Sequence, residues 1–281
     1  STDLVSSLRE AVGDGFLLVS NEVMKQRAGV LADNMAIWGD PNVVVTSDDP
    51  KAFSPLSGFF DVIVADVPCS GEGMFRKDEE AQRQWSEDNV ALCEARQRRI
   101  LADVWPSLRE GGILIYSTCT FNRMENDGNV SWVSRTLGAE VLTHDICGQV
   151  HLGVIRTELG FSLVPGHVEG EGQYCAALKK TSDVTLEDKP ACLAGRRNRN
   201  RARRPAPMIP GEVRSLFDRE VSLKQKGETV VAVPAPITSD VDMLEEYLHV
   251  LASGCAAGVM KGQTLVPDAD LALSLMLDVQ A

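Results

Sequence analysis

The sequence predicts an α/β protein built on a parallel, doubly wound sheet. Two observations carry this. Short, near-continuous apolar runs such as FLLVS, VVVT and DVIVA read as strands buried on both faces. Between them, apolar residues recur at helical spacing, so strands and helices alternate along the chain.

The opening stretch STDLVSSLREAVGDG reads as a helix, with Ser1 or Thr2 near its cap and a Gly-Asp-Gly exit. A strand follows from about Phe16 to Ser20, ending at Asn21 and Glu22. Met24, Ala28, Leu31, Met35 and Trp38 then lie on one helical stripe. VVVTSDDP is a second strand ending at Asp48 and Asp49, and Asp61 to Asp66 is a third. Beyond a Gly-rich loop, SEDNVALCEARQRRILADVW has an acidic first turn and an apolar stripe through Val90, Cys93, Ile100 and Val104, which predicts a long helix. REGGILIYS gives a turn and a fourth strand, Glu125 to Leu137 a short helix, and FSLVPG with YCAALKK a closing antiparallel hairpin. Residues 1–180 are expected to form this unit. The composition then shifts to Pro, Arg and Asn over 181–210, a linker, and 211–281 mixes a strand (ETVVAVP) with a helix (SDVDMLEEYLHVL) as a small α+β module.

Composition narrows the function. The chain has 281 residues, 44% of them hydrophobic and 24% charged, which suits a globular protein with one large and one smaller domain. No apolar run is long enough to span a bilayer, and the start lacks the basic-then-apolar pattern of a signal peptide. Seven cysteines without CxxC pairs argue against a disulfide framework and against a structural zinc site, so no metal is expected and a reducing cytoplasm is the simplest setting. A net charge of -12 is awkward for nucleic-acid binding, yet GRRNRNRARRP places arginines at 196, 197, 199, 201, 203 and 204. That run reads either as a solvated linker or as an arm touching RNA phosphates.

Ligands of open α/β sheets bind beyond the carboxyl ends of the strands. Here three successive strands end in acids, Glu22, Asp49 and Asp66. Acids also suit turns in general, but three in succession fit an adenosine-containing cofactor, with one carboxylate accepting from a ribose diol and others from amino groups. The Gly-rich turn that such a sheet usually carries after its first strand is not found before Phe16, so that strand and loop are expected upstream of Ser1. Two cysteines follow strand ends in small, polar contexts, Cys69 in DVPCSGEGMFRKD and Cys119 in YSTCTFN, and should converge on one crevice. Cys93, Cys147, Cys175 and Cys255 suit a buried structural role better, and Cys192 a linker thiol.

These two motifs, with SNE after one strand and TSDDP after the next, resemble the Sun/Fmu-type RNA cytosine-5 methyltransferases over residues 1–180. The resemblance implies a class I S-adenosylmethionine methyltransferase sheet lacking its N-terminal strand, with RNA, above all ribosomal RNA, as substrate. It implies Cys119 as the nucleophile that adds to cytosine C6, and Cys69 as the thiol that helps release the product. Glu22 is assigned to the cofactor ribose, Asp49 to its adenine, and Asp66 to its methionine side and to the cytosine edge. Arg76 and Lys77 are expected to favour a thiolate or to hold a substrate phosphate. Without the upstream Gly-rich loop, cofactor binding by these residues alone is expected to be weak. KGQTLVPDADLALSLML is similar to the segment leading into a PUA-like RNA-binding module. Competing readings are a catalytically silent RNA-binding or assembly factor on the same scaffold, a DNA cytosine methyltransferase using Cys69 as nucleophile, and, more distantly, a Rossmann dehydrogenase.

Overall fold

The computed structural model describes residues 2–142, 153–181, 209, 211–262 and 264–278. The Arg-rich stretch Gly195 to Pro205, Cys147 and Cys192 fall outside these residues. By packing, the chain divides into two compact units, residues 1–49 with 193–281 and residues 50–192. The boundaries expected from the sequence track composition rather than packing.

The first unit opens with α1 (Thr2–Val12), β1 (Leu18–Asn21), α2 (Lys25–Trp38) and β2 (Val43–Thr46). The two strands pair in parallel, Leu18 opposite Val43 and Asn21 opposite Thr46, and all four residues of β2 are buried. In α2 only Ala28 and Met35 of the expected stripe are buried; Met24 lies outside the helix as its cap, and Trp38, its last residue, is exposed. Gly39 ends the helix in the left-handed conformation (φ 75°), and a Cβ there would lie 2.0 Å from the Leu273 carbonyl oxygen, so only glycine fits. The next residue, Asp40, takes both Nε and Nη2 of Arg9 at 2.7 Å, a two-point grip that fastens α1 to the turn between α2 and β2.

The second unit contains β3 (Phe60–Asp66), α3 (Glu79–Gln84), α4 (Glu87–Val104), β4 (Leu108–Thr118), α5 (Asp127–Trp132), β5 (Ala139–Val141), β6 (Val154–Arg156), β7 (Phe161–Leu163) and β8 (Gln173–Lys180). Its sheet runs β3-β4-β8-β7-β6, with β5 also on β8. β3 and β4 are parallel; β8 returns antiparallel on β4, and β7 pairs with it as the closing hairpin required. Leu101, Leu108, Leu114, Tyr116, Val130, Tyr174 and Leu178 form the core between α4, α5 and the sheet. Ser86 caps α4 by accepting the Asn89 amide, with Glu87 and Asp88 in the first turn, where carboxylates oppose the unpaired N–H groups. The face that α4 buries is Val90, Cys93, Gln97 and Leu101, so a glutamine sits in the apolar stripe.

The chain then returns to the first unit with β9 (Val221–Lys226), β10 (Thr229–Pro234), α6 (Thr238–Tyr247), β11 (Val250–Ser253), β12 (Cys255–Lys261), β13 (Thr264–Pro267) and α7 (Ala269–Leu273). Four of the strands make an antiparallel sheet, β13-β12-β10-β9, around Val230, Ala232, Ala257 and Met276. The helix expected to run through SDVDMLEEYLHVL stops at Tyr247. Beyond it, β11 pairs antiparallel to β2, Val250 opposite Thr46, while the His249 amide donates to Asp48 Oδ2 at 2.8 Å. Pairing to a preformed edge outweighs the helical spacing of the apolar residues there.

The two parallel pairs thus lie in separate sheets, β1 with β2 and β3 with β4. β1 and β3 each keep one edge without a strand partner among the described residues. On β3, Val62 and Val64 are 50% and 47% exposed, which is high for apolar residues of a parallel strand.

Candidate active site

The second unit gathers both motif cysteines at the carboxyl edge of β3 and β4. In that pair Asp66 stands opposite Ser117, so the chain leaves both strands at the same level. Cys69 comes three residues beyond Asp66 and Cys119 two beyond Ser117. Their sulfurs are 2.9 Å apart, and the Cys119 amide also donates to Cys69 Sγ at 3.3 Å. Both side chains are half-buried and free of disulfides.

Several bonds hold this approach. The Gly73 amide donates to the Cys119 carbonyl at 2.8 Å, and a Cβ on Gly73 would meet that oxygen at 2.8 Å and the Gly172 carbonyl oxygen at 2.7 Å. Ser70 Oγ and Thr120 Oγ1 share a hydrogen bond of 2.9 Å. The Cys119 turn is fixed by Asn126, which accepts from Thr118 Oγ1 at 2.6 Å and donates to the Thr120 carbonyl at 2.9 Å.

The pair divides its protons unequally. The hydrogen bond shared with Cys69 lowers Cys119 to about 7, outweighing burial and the repulsion of the Asp66 carboxylate, which both push it up. Cys69, sharing that bond while buried beside Cys119, is raised above its usual value, although the Gly71 and Cys119 amides work the other way. On this balance Cys119 is the sulfur shifted towards the thiolate, the form that attacks electrophilic carbon.

Under the Cys69 loop lies a buried polar network that sequence reasoning missed. Glu125, fully buried, accepts the Ser70 amide at 3.0 Å and Gln97 Nε2 at 2.7 Å on one oxygen. Gln97 Nε2 also reaches the Pro68 carbonyl at 3.0 Å, and its Oε1 accepts from Asn129 at 2.7 Å and from the Tyr116 hydroxyl at 3.1 Å. Burial raises the Glu125 carboxyl above the usual range. The one signal that finds Gln97 is its register: it falls between Cys93 and Leu101 at i+4 spacing, where a polar residue on a buried face needs a partner.

Asp66 is exposed at the end of β3. Arg76 and Lys77 both pair with Glu171, at 2.6 and 3.1 Å, with their side chains 63% and 60% exposed. Glu22 and Asp49 belong to the first unit, just beyond β1 and close after β2. Glu22 accepts the Met24 amide at 2.9 Å and pairs with Arg27 at 3.2 Å. Asn21 Oδ1 accepts from Thr46 Oγ1 and from the Asp48 amide, at 2.8 and 3.0 Å, and so ties the ends of the two strands together. Of the acidic pair after β2, Asp48 is spent on the β11 connection through the His249 amide. Among the described residues no three His, Cys, Asp or Glu side chains are arranged to hold a metal, and no helix is long and apolar enough to cross a membrane.

Parallel strand pairs with helices between them, and two cysteines brought together where two of the strands end, fit a class I methyltransferase fold of the Rossmann-like kind. A family model described as 16S rRNA methyltransferase RsmB/F matches residues 5–179, and the chain belongs to that family. It is 34% identical over 183 residues to a ribosomal RNA small subunit methyltransferase F of Pectobacterium atrosepticum, covering 64% of this chain and 38% of that protein. The same-named protein of Salmonella typhi is 32% identical over 236 residues, covering 81% and 49%. The chain thus spans less than half the length of these relatives. Among solved structures, NSun6 from Pyrococcus horikoshii with SFG superposes with a TM-score of 0.52 at 21% identity, covering 64% of this chain and 45% of that one, which supports the fold.

Proposed function

We propose that this chain is the catalytic portion of an RNA cytosine-5 methyltransferase that modifies small-subunit ribosomal RNA. The observation that carries the reading is the cysteine pair, two sulfurs 2.9 Å apart, whose hydrogen bond lowers Cys119. Cytosine C5 is a poor nucleophile. Addition of the Cys119 thiolate to C6 turns C5 into an enamine-like carbon that can accept a methyl group. The target base must leave any stack to present C6 to the sulfur. Asp66, exposed at the same strand edge, is suited to bond the cytosine edge during attack. After the C5 proton is lost, the Cys119–C6 bond breaks and the electron pair returns to sulfur. The Cys69 thiol, already bonded to that sulfur, stabilises the departing thiolate and so promotes release.

The cofactor would be S-adenosylmethionine, which supplies an electrophilic methyl group when bound. The acids suit it chemically: Glu22 and Asp49 follow neighbouring parallel strands, as acceptors for a ribose diol and an adenine amine would, and Asp66 would face the methionine amine. The exposed heads of Arg76 and Lys77 are suited to RNA phosphates, with Glu171 restraining both side chains.

The test is transfer of labelled methyl from S-adenosylmethionine to unmodified 16S ribosomal RNA by the full-length protein. Label in cytosine with wild type, none with Cys119→Ala, and a protein–RNA adduct that accumulates with Cys69→Ala are the expected results. An active Cys119→Ala protein would reverse the cysteine roles. No label with wild type would leave a silent RNA-binding scaffold.

A further inference from the structure

The two cysteine-bearing segments are held by carboxylates in a reciprocal way. Glu125, six residues beyond Cys119, accepts the amide of Ser70, the residue after Cys69, at 3.0 Å. Glu72, three residues beyond Cys69, accepts the amide of Phe121, two residues after Cys119, at 3.0 Å. Each segment thus sends a carboxylate into the other's backbone. Glu72 is itself anchored, since its second oxygen accepts Trp85 Nε1 at 2.9 Å. Bonds from amides to carboxylates are among the stronger hydrogen bonds, so these four groups resist parting better than the neutral Ser70–Thr120 contact alone.

Glu125 carries a further sign of a functional placement. Both its bonds fall on one oxygen, while Oε1 is buried with no partner among the described residues. A bare buried carboxylate oxygen is costly, and a fold that only needed a core residue here would do better with an apolar one. We infer that Glu72 and Glu125 are positioning residues for the Cys69–Cys119 pair, acting through the Phe121 and Ser70 amides to keep the two sulfurs within hydrogen-bond reach. The inference deepens the methyltransferase reading, on which the meaning of the pair rests, but the sulfur geometry can be tested without RNA or cofactor.

The experiment follows alkylation of Cys119 by iodoacetamide as a function of pH, read by peptide mass spectrometry, in wild type, E72A, E72Q, E125A and E125Q. In wild type the rate should rise with a midpoint of about 7. In E72A and E125A the pair loosens, the midpoint moves up towards an ordinary thiol value of roughly 8.5, and the rate at neutral pH falls roughly 10-fold. Each glutamine variant keeps one oxygen for its backbone amide and should hold the midpoint at or below the wild-type one, E125Q losing as well a charge that raises Cys119, and E72Q giving up the bond to Trp85 Nε1. A role confined to folding would change the melting temperature without moving the midpoint. Should E125A fail to fold, E72A and E72Q decide alone, because Glu72 is only half-buried. Wild-type midpoints in folded alanine variants overturn the inference. A shifted midpoint together with a wild-type protein that never methylates RNA would instead sink the proposed function and leave the positioning role standing.

Discussion

The Gly73 amide and the Cys119 carbonyl are joined by a hydrogen bond of 2.8 Å, and the approach is so close that a single added carbon would collide with it. Gly73→Ala should therefore push the loop after β3 away from the turn after β4. Overpacking of this kind costs about 1–3 kcal/mol, and the larger effect should be on reactivity, with Cys119 losing its low alkylation midpoint. Thermal unfolding and thiol alkylation on the same sample separate the two. A Gly73→Ala protein with unchanged alkylation would show that the contact does not hold the sulfurs.

The pH dependence of the site comes from the direction of the Cys119 shift. Its folded value is depressed to about 7, so the thiolate forms as pH rises through neutrality and is lost as pH falls below it. Replacing Cys69 by Ala removes the donor that lowers it, while burial and Asp66 continue to raise it. The alkylation midpoint of Cys119 in Cys69→Ala should lie at least one pH unit higher, a difference of about 1.4 kcal/mol. An unchanged midpoint would mean the sulfurs share no proton.

Sulfurs this near should also couple on mild oxidation. With hydrogen peroxide, two thiols give up two protons and two electrons, the peroxide becomes two waters, and a Cys69–Cys119 disulfide results. Peptide mapping without reductant should find that cross-link before any involving Cys93 or Cys255, which are buried. Preferential modification of another cysteine would count against the 2.9 Å geometry.

Leu114, fully buried at the centre of the second unit's sheet, tests the scaffold beneath the site. Leu114→Ala should destabilise by about 2–5 kcal/mol in denaturant unfolding, with the cysteine midpoint unmoved in the fraction that stays folded. A loss well under about 1 kcal/mol would mean the core is not organised around this strand.

Asp40 offers the corresponding test in the first unit. Its carboxylate, 1% exposed, takes two bonds from Arg9 and one from the Asn42 amide at 2.9 Å. Asp40→Ala strips Arg9 Nε and Nη2 and the buried Asn42 amide of their acceptors, while Arg9 Nη1 keeps Asp14, and should cost about 3 kcal/mol. Urea titration of the two proteins provides the comparison.

The order of the main strands and helices up to β4 was legible in the sequence because those apolar runs kept their period and their punctuation. The cysteines were legible because a small, polar context after a strand end is a poor place for a structural thiol, and the structure puts both sulfurs together. More was hidden, the antiparallel strands β9, β12 and β13 among it. Gln97 and Glu125 look like surface residues by type, and only their register shows them turned inward. Glu72 lies inside the DVPCSGEGMFRKD motif, yet nothing local indicates that it accepts an amide 49 residues on. β11 reads as the tail of a helix because its pairing partner, β2, is distant in sequence, and no local propensity reports a distant edge.

That distant pairing has a consequence for how the chain is made. Residues 43–46 wait for residues 250–253 before their sheet is complete, whereas residues 50–192 form one unbroken stretch of chain. Pairings over long sequence separations are slow, and domains emerging first during synthesis tend to fold first. On the ribosome, the segment carrying both cysteines can mature while the strands flanking Glu22 and Asp49 are still waiting for their last neighbour. The approach of the two sulfurs would then form before β2 gains its last neighbour.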